Sequence, residues 1–356
     1  MPDLHSVPAG LTFRPPRLPD DLAGMAAAMT AAAPRFPVTL ELVMDWHRTN
    51  DPALQLAVRV AELEGEVIGV GRTVQQGATE QRELYWINMW VAEPWQRRGV
   101  GRALLAELEG AARWLGGRRV RVQVRQDVPG ALALADAGGY RRTWTRYESA
   151  LKVTPELDFS GFDPLLGRLK AEGIVLRSVA ELADDPERNR RLWDLDWQLL
   201  ADVPLGMTLT RHPLDVWVRQ DIENSSFCPE LSFVALDPAL QNSDSDGPLT
   251  GPYVGMSSLN VQPGGFYTIG MTGTLPAYRG RGIAKALKVR AMRALQEHTR
   301  QSGASATIRT FNDPPNVAML GMNAALGFVR GPDIYRYERD LDLNPAPDLD
   351  PAQENA

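Results

Sequence analysis

The apolar positions of this chain run through one programme of elements and then through it again. Leu11–Arg14 reads as a short strand stopped by Pro15 and Pro16. Pro19–Asp20–Asp21 carries the start signal of an alanine-rich helix reaching Ala32. A second helical stretch spans Leu40–Thr49. Leu54–Ala61 and Val67–Thr73 alternate apolar and polar residues about Glu64–Gly65–Glu66, a hairpin pattern. Glu83–Val91, rich in aromatic and branched residues, predicts the next strand, which leads through a glycine turn into a helix ending near Leu115. Arg119–Val124 alternates as a strand, Pro129–Ala137 predicts a short helix closed by Gly138 and Gly139, and Tyr140–Leu151 returns as strand.

From Val153 to Gly173 the chain reads as a linker with one short helix at Pro164–Ala171. The order then restarts with a strand at Ile174–Val179, helices at Glu187–Leu200 and Pro213–Ile222, and a strand at Leu231–Leu236. A polar loop at Gln241–Pro252 precedes strands at Tyr253–Val261 and Phe266–Thr272, then a second glycine turn with its helix. Ala304–Thr310 predicts a strand, Pro315–Leu326 a helix, and Asp333–Leu341 a last strand. Gly99 and Gly139 stand 40 positions apart, Gly282 and Gly327 stand 45, so motif spacing repeats along with element order. The pattern predicts an internal duplication. One domain covers residues 11–152, a linker 153–173, a second domain 174–341, and a disordered Pro/Asp-rich tail 342–356.

Composition adds mainly exclusions. A chain of 356 residues suits two domains. A net charge of −6 argues against general nucleic-acid binding. No apolar run approaches the roughly 20 residues that span a bilayer, and MPDLHSVPAG lacks the basic-then-apolar order of a signal peptide. A cytoplasmic protein without membrane contact is expected. The single cysteine, Cys228, excludes an intrachain disulfide, and four scattered histidines without HExxH predict no metal.

The chemistry gathers at the two glycine turns. A strand ending in Thr272–Gly273–Thr274 passes Pro276 into Arg279–Gly280–Arg281–Gly282 and then an apolar-faced helix. Bare amides and the positive end of the helix dipole make such a turn a phosphate site. VAEPWQRRGVGRALLAEL at Val91–Leu108 repeats the arrangement. Neither turn supplies GxxxxGK[ST], and Lys285 stands where a dinucleotide fingerprint needs its third glycine.

Gln96-x-x-Gly99-x-Gly101 and Arg279-x-x-Gly282-x-Ala284 resemble the [QR]xxGx[GA] acetyl-CoA motif of the GNAT N-acetyltransferase superfamily, and Gly139–Tyr140 and Gly327–Phe328 resemble its terminal Gly-aromatic pair. The resemblance covers nearly the whole chain, twice. It implies an α/β (mixed α+β) protein of two tandem domains, each a mostly antiparallel sheet flanked by helices and containing one splayed strand pair. It also implies acetyl-CoA as acyl donor and the primary amine of a small molecule as acceptor, attacking directly in a ternary complex. The donor contacts so implied are Thr272, Gly273, Thr274, Arg279, Gly280, Arg281, Gly282, Ile283, Ala284, Lys285, Asn312 and Asn316. In the first copy they are Val91, Gln96, Arg97, Arg98, Gly99, Val100, Gly101 and Arg102.

The family pattern has an Asn at the start of its last helix and often a Tyr four residues before the terminal glycine. The second copy keeps Asn316 but has Asn323 at the Tyr position; the first copy has Val128 and Ala135. Catalysis is therefore expected in the C-terminal domain, with a degenerate N-terminal one. Asn323 is a candidate hydrogen-bond donor to the leaving group, Tyr267 a substitute acid, and Glu223 and Asp202 candidate bases. The two-domain arrangement is similar to that of the mycothiol synthases, which acetylate a cysteinyl amine. A non-catalytic acyl-CoA-binding or regulatory protein is the alternative, supported by the missing Tyr and by the lack of an acid in Phe266–Thr274. Tandem domains predict a monomer with an internal pseudo-dimer, or a homodimer.

Overall fold

The computed structural model describes residues 7–77, 79–203, 209–242, 250–262 and 265–341. The expected disordered tail and most of the loop after Gln241 lie outside them. The first copy supplies β1 (Thr12–Arg14), α1 (Leu22–Ala32), α2 (Leu40–Arg48), β2 (Leu56–Leu63), β3 (Glu66–Gln75), β4 (Leu84–Val91), α3 (Val100–Trp114), β5 (Arg119–Arg125), α4 (Pro129–Ala137) and β6 (Arg141–Val153). After α5 (Asp163–Ala171) come β7 (Val175–Ser178), α6 (Arg188–Leu200), α7 (Leu214–Trp217), β8 (Phe233–Leu236), β9 (Tyr253–Gln262) and β10 (Phe266–Thr274). The chain continues through α8 (Ile283–Ser302), β11 (Ala306–Asn312), α9 (Val317–Ala325), β12 (Val329–Arg330) and β13 (Ile334–Asp340). The helix expected over Pro213–Ile222 is α7 followed by one π-helical turn, Val218–Ile222.

Contacts divide the described residues into two compact units that differ from the two sequence repeats. Of the described residues, those within 7–146, 209–210 and 332–341 form the first unit and those within 147–203 and 211–331 the second. β13, the strand expected to close the second domain, lies in the first unit between β5 and β6. Its side chains explain the pairing. Arg121 Nε donates to Glu338 at 2.6 Å and Arg119 Nε to Asp340 at 2.7 Å, opposite charges facing across neighbouring strands. The segment expected as a linker packs in the second unit, where Phe159 and Leu169 are buried against α8. Gln296 Nε2 holds it further, donating to the carbonyls of Thr154, Pro155 and Leu157.

The first unit's sheet runs β1-β2-β3-β4-β5-β13-β6, with only β4 and β5 parallel. The second runs from residues 147–153 of β6 through β11, β10, β9 and β8 to β7, with only β10 and β11 parallel. Each sheet buries both faces. In β8, Phe233 and Ala235 face the core under α8, while Val234 between them joins the core under α6 and α7. In the first unit Ala61 faces α3, and its neighbour Val60 faces α1 and α2. None of the described helices is long and apolar enough to cross a membrane.

Candidate active site

The splay expected from the sequence is present in the second unit. β10 pairs with β11 only at Phe266–Thr268, opposite Thr307–Arg309; beyond those residues the two strands part. On its other edge β10 stays paired with β9 as far as Thr274, with a bulge between Ile269 and Thr272. Gly270 lies in this bulge because a Cβ there would stand 2.5 Å from Ser258 Oγ.

At the end of β10 the chain makes a tight turn over Pro276–Tyr278 and enters the glycine loop. Gly280 and Gly282 have φ of 75° and 83°, conformations that a Cβ disfavours. Gly282 is the N-cap of α8 and no side chain caps the helix, so its first amides point outward unclaimed. Arg279 pairs with Asp202, and Arg281 Nη2 donates to Glu172 at 2.7 Å. Arg168 of α5 donates to the Arg281 carbonyl at 2.7 Å. The Arg281 and Arg168 guanidinia together hold Glu172 below the usual carboxylate range.

On the α6–α7 side of the sheet lies a cavity of ≈ 270 Å³. Asp196, Asp221, Trp217, Ser257, Ser258 and Asn260 contribute to its walls, together with Gly270 and Met271 of the bulge. Asp196 accepts from Trp217 Nε1 at 3.2 Å. Burial pushes its carboxyl up to about 6, against the lowering effects of the Trp217 bond and of Arg211. Asp221 belongs to the π-turn and keeps an exposed face. Wall atoms nevertheless crowd it, and desolvation with the nearby charge of Asp196 brings it up to about 7. Ser257 Oγ and Thr272 Oγ1 are hydrogen-bonded at 2.9 Å, joining the cavity wall to the strand edge at the splay.

The residues singled out from the sequence are distributed unevenly around this site. Thr272, Gly273 and Thr274 form the strand edge, and Arg279 through Lys285 form the loop and first turn of α8. Asn316 caps α9, its Oδ1 accepting from Met319 N at 3.3 Å. Asp202 is engaged by Arg279. Glu223 follows the π-turn and is not part of the cavity wall. Tyr267 is buried in the core under α8, where desolvation raises its phenol. Asn323, 1% exposed, accepts from Lys288 Nζ at 2.6 Å and donates to Asn312 Oδ1 at 2.7 Å. Lys288 is also 1% exposed, and burial lowers its ammonium to about 7.

Asp196, Asp221 and Lys288 carry the strongest electrostatic perturbations near the splay and are not indicated by the family motif. The first and the last are legible in part. Asp196 shares the apolar stripe of Leu192, Leu195 and Leu199 on α6, an unusual place for a carboxylate.

In the first unit Gly99 has φ 77° and caps α3. Gln96 Nε2 donates to the Val91 carbonyl at 2.9 Å, and Val7 lies 3.5 Å from where a Gly99 Cβ would be. Val100, Gly101 and Arg102 form the first turn of α3. Among the described residues Arg97, Arg98 and Arg102 have no ion-pair partner, and Arg98 lies over the Trp95 ring at 5.3 Å.

The sequence model of the acetyltransferase (GNAT) family matches residues 25–140 and 205–328. A mycothiol acetyltransferase of Kineococcus radiotolerans is 29% identical over 344 residues, which cover 94% of this chain and 98% of that protein. A tandem GNAT protein from the clavulanic acid biosynthesis pathway superposes with a TM-score of 0.67 at 20% identity, covering 95% of this chain and 100% of its own. A GCN5-related N-acetyltransferase from Sphaerobacter thermophilus gives 0.61 at 18% identity, covering 97% and 99%. At these identities the two structures speak for the fold alone. With the family matched twice, and a glycine-capped helix following a splayed strand pair in each unit, the chain belongs to the GNAT acetyltransferase family as a tandem-domain acyltransferase.

Proposed function

We propose that the second unit transfers an acetyl group from acetyl-CoA to a primary amine of a small molecule seated in the Asp196–Asp221 cavity. The supporting observation is one shared strand. Gly270 and Met271 of β10 line the cavity, and the next residues, Thr272–Thr274, form the edge freed by the splay. A group held along that edge and a group held in the cavity therefore meet across a few residues of one strand.

The residues present suit an acyl-CoA donor. The uncapped amides of α8 and the positive-φ glycines before it suit a diphosphate, and the strand edge suits an extended amide-bearing arm. Bound there, the donor supplies an activated acetyl thioester. Arg279, Arg281 and the Gly282–Lys285 backbone would hold its diphosphate, and Asn312 would lie at the far side of the splay. Asp221 takes the proton that an ammonium must lose before it attacks. Near 7 it is substantially ionised at neutral pH and more basic than an ordinary carboxylate. Ser257, Ser258 and Asn260 orient the amine. No side chain has to protonate the leaving group, because a thiol of pKa about 8.5 is a tolerable leaving group as thiolate near neutral pH.

In this reading Asp202 is the counter-ion of Arg279, Tyr267 is core packing, Asn323 is the structural partner of Lys288, and Glu223 borders the π-turn. The first unit is non-catalytic. The resemblance to the mycothiol synthases puts a cysteinyl amine among the first acceptors to assay. The test is free-thiol release from acetyl-CoA by the pure protein with a panel of amines. Amine-dependent release, lowered about 100-fold by Asp221→Asn, is expected. Tight acetyl-CoA binding with no amine-dependent release would replace the transferase by an acyl-CoA-binding protein.

A further inference from the structure

We infer that the acceptor taken by this cavity is a cationic amine that carries no carboxylate or phosphate. The inference rests on the amine-acetylating reading above and adds the acceptor's charge to it.

The charged side chains on the described walls are all acidic. Asp196 and Asp221 line the cavity, and no Lys, Arg or His does so among the described residues. Residues 204–208, 243–249 and 263–264, which lie outside the described residues, contain no Lys, Arg or His in their sequence. Arg211, whose charge reaches Asp196, is bonded to Asp194 at 2.5 Å and lies over the Trp193 ring at 3.2 Å. It is already occupied. Ser257, Ser258, Asn260 and Gln262 supply neutral polar groups.

An acceptor's carboxylate or phosphate would enter beside two acids with only hydroxyls and amides to meet it. That is a like-charge juxtaposition in a partly desolvated space, which selects against a ligand more sharply than a missing contact does. An ammonium reverses the sign. Asp196 already accepts from Trp217, while Asp221 accepts no hydrogen bond from any described residue and is free to receive one. A cation therefore relieves the repulsion between the two carboxylates, and an added anionic group restores it.

Two matched pairs of probes isolate this term: putrescine against ornithine, and glucosamine against glucosamine 6-phosphate. Within each pair only the anionic group and its attachment differ. The member without the anionic group is expected to show at least about tenfold higher kcat/KM in each pair. Calorimetric Kd values for the full chain without acetyl-CoA should follow the same order. The preference should fall to within about threefold in the Asp196→Asn/Asp221→Asn double variant, which preserves side-chain shape. The inference is overturned if ornithine or the sugar phosphate serves as well as its partner. It is equally overturned if the preference survives the double substitution, or if none of the four probes binds. Binding that follows the expected order without any acetyl transfer would support the charge preference while removing the transferase reading, so the two failures are distinguishable.

Discussion

The two units keep the same backbone device and differ in the side chains around it. In each, the parallel strand pair holds for three residues and then parts: Leu84–Trp86 with Arg119–Arg121 in the first, Phe266–Thr268 with Thr307–Arg309 in the second. In each, a positive-φ glycine caps the following helix. On the side of the paired helices, however, the first unit places aromatic rings. Trp46 and Trp90 lie with ring centroids 5.7 Å apart, and the Arg72 guanidinium covers Trp46 at 4.7 Å. The second unit leaves a cavity there and points two carboxylates into it. Six residues past the capping glycine the first unit has Leu105 and the second Lys288; four before the terminal glycine, Ala135 stands against Asn323. The glycine turn persists because either unit needs it to join strand to helix. The side chains around it are under no such constraint and differ between the units.

The strongest way to break that contrast is at the capping glycines themselves. A valine at Gly282 must adopt φ 83° and would place its Cβ 2.9 Å from Leu165 Cδ1, so the loop has to shift. Gly282→Val is expected to weaken acetyl-CoA binding by at least about 100-fold, since the amides then miss the diphosphate. Gly99→Val suffers the same backbone strain, with φ 77° and a milder 3.5 Å contact to Val7. It should lower the melting temperature comparably yet leave calorimetric affinity unchanged. Equal losses of affinity would show that both loops hold the donor.

A second contrast lies in pH. The raised carboxyl of Asp221 means that stability present below the ordinary carboxylate range, at about pH 4, is lost as pH rises through about 7. Activity should move the opposite way, rising through the same interval as the base ionises. Asp221→Asn is expected to abolish the rising limb of kcat/KM and to raise the melting temperature at about pH 8 but not at about pH 4. A variant that loses activity with no gain in melting temperature would locate Asp221 in the fold rather than in the chemistry.

How much of this was legible in sequence depends on the range of the forces involved. Apolar period and the glycine turns are local signals, so the elements, the duplication and the loop at Arg279–Ala284 can be read directly. The membership of β13 cannot, because it is decided by pairing with a strand more than 200 residues away through Arg121 and Glu338. Asp196 and Lys288 are half-legible as charges on apolar stripes. Lys288 shares a face with Ala291, Met292 and Leu295, all buried. Asp221 was hidden for a different reason. The π-turn at Val218–Ile222 shifts the phase of the helix, so a regular helical reading places that carboxylate on the wrong face.

Lys288 and Asn323 allow the first unit's solution to be installed in the second. Lys288→Leu alone leaves the Asn323 carbonyl without its donor, and Asn323→Ala alone leaves a buried amine. Each is expected to cost about 1–3 kcal/mol by chemical denaturation. The double variant, which reproduces Leu105 and Ala135, should lose less than either single one. The lowered ammonium adds a signature. Its stabilising effect is present above the ordinary lysine range and is lost as pH falls through about 7, so the native chain should gain stability from about pH 7 to pH 10. Lys288→Leu should remove that gain. Additive losses in the double variant would mean that the pair does not act as a unit.

The smallest expected effect concerns the arginines of the two loops. Arg97, Arg98 and Arg102 have no acid partner among the described residues, whereas Arg281 is held by Glu172, which also accepts from Arg168 at 2.8 Å. A diphosphate at the α8 N-terminus must compete with Glu172 for these two guanidinia. Glu172→Gln removes the competing charge and keeps a hydrogen-bond acceptor, so acetyl-CoA affinity should tighten about threefold at about 50 mM salt. Exposed ion pairs contribute little to folding, and the melting temperature should not move. At about 0.5 M salt the gain should vanish, because screening weakens the Arg281–Glu172 attraction in the native protein as well. Weaker binding in Glu172→Gln would reverse the interpretation: Glu172 would then be positioning Arg168 and Arg281 for the phosphates rather than withholding them.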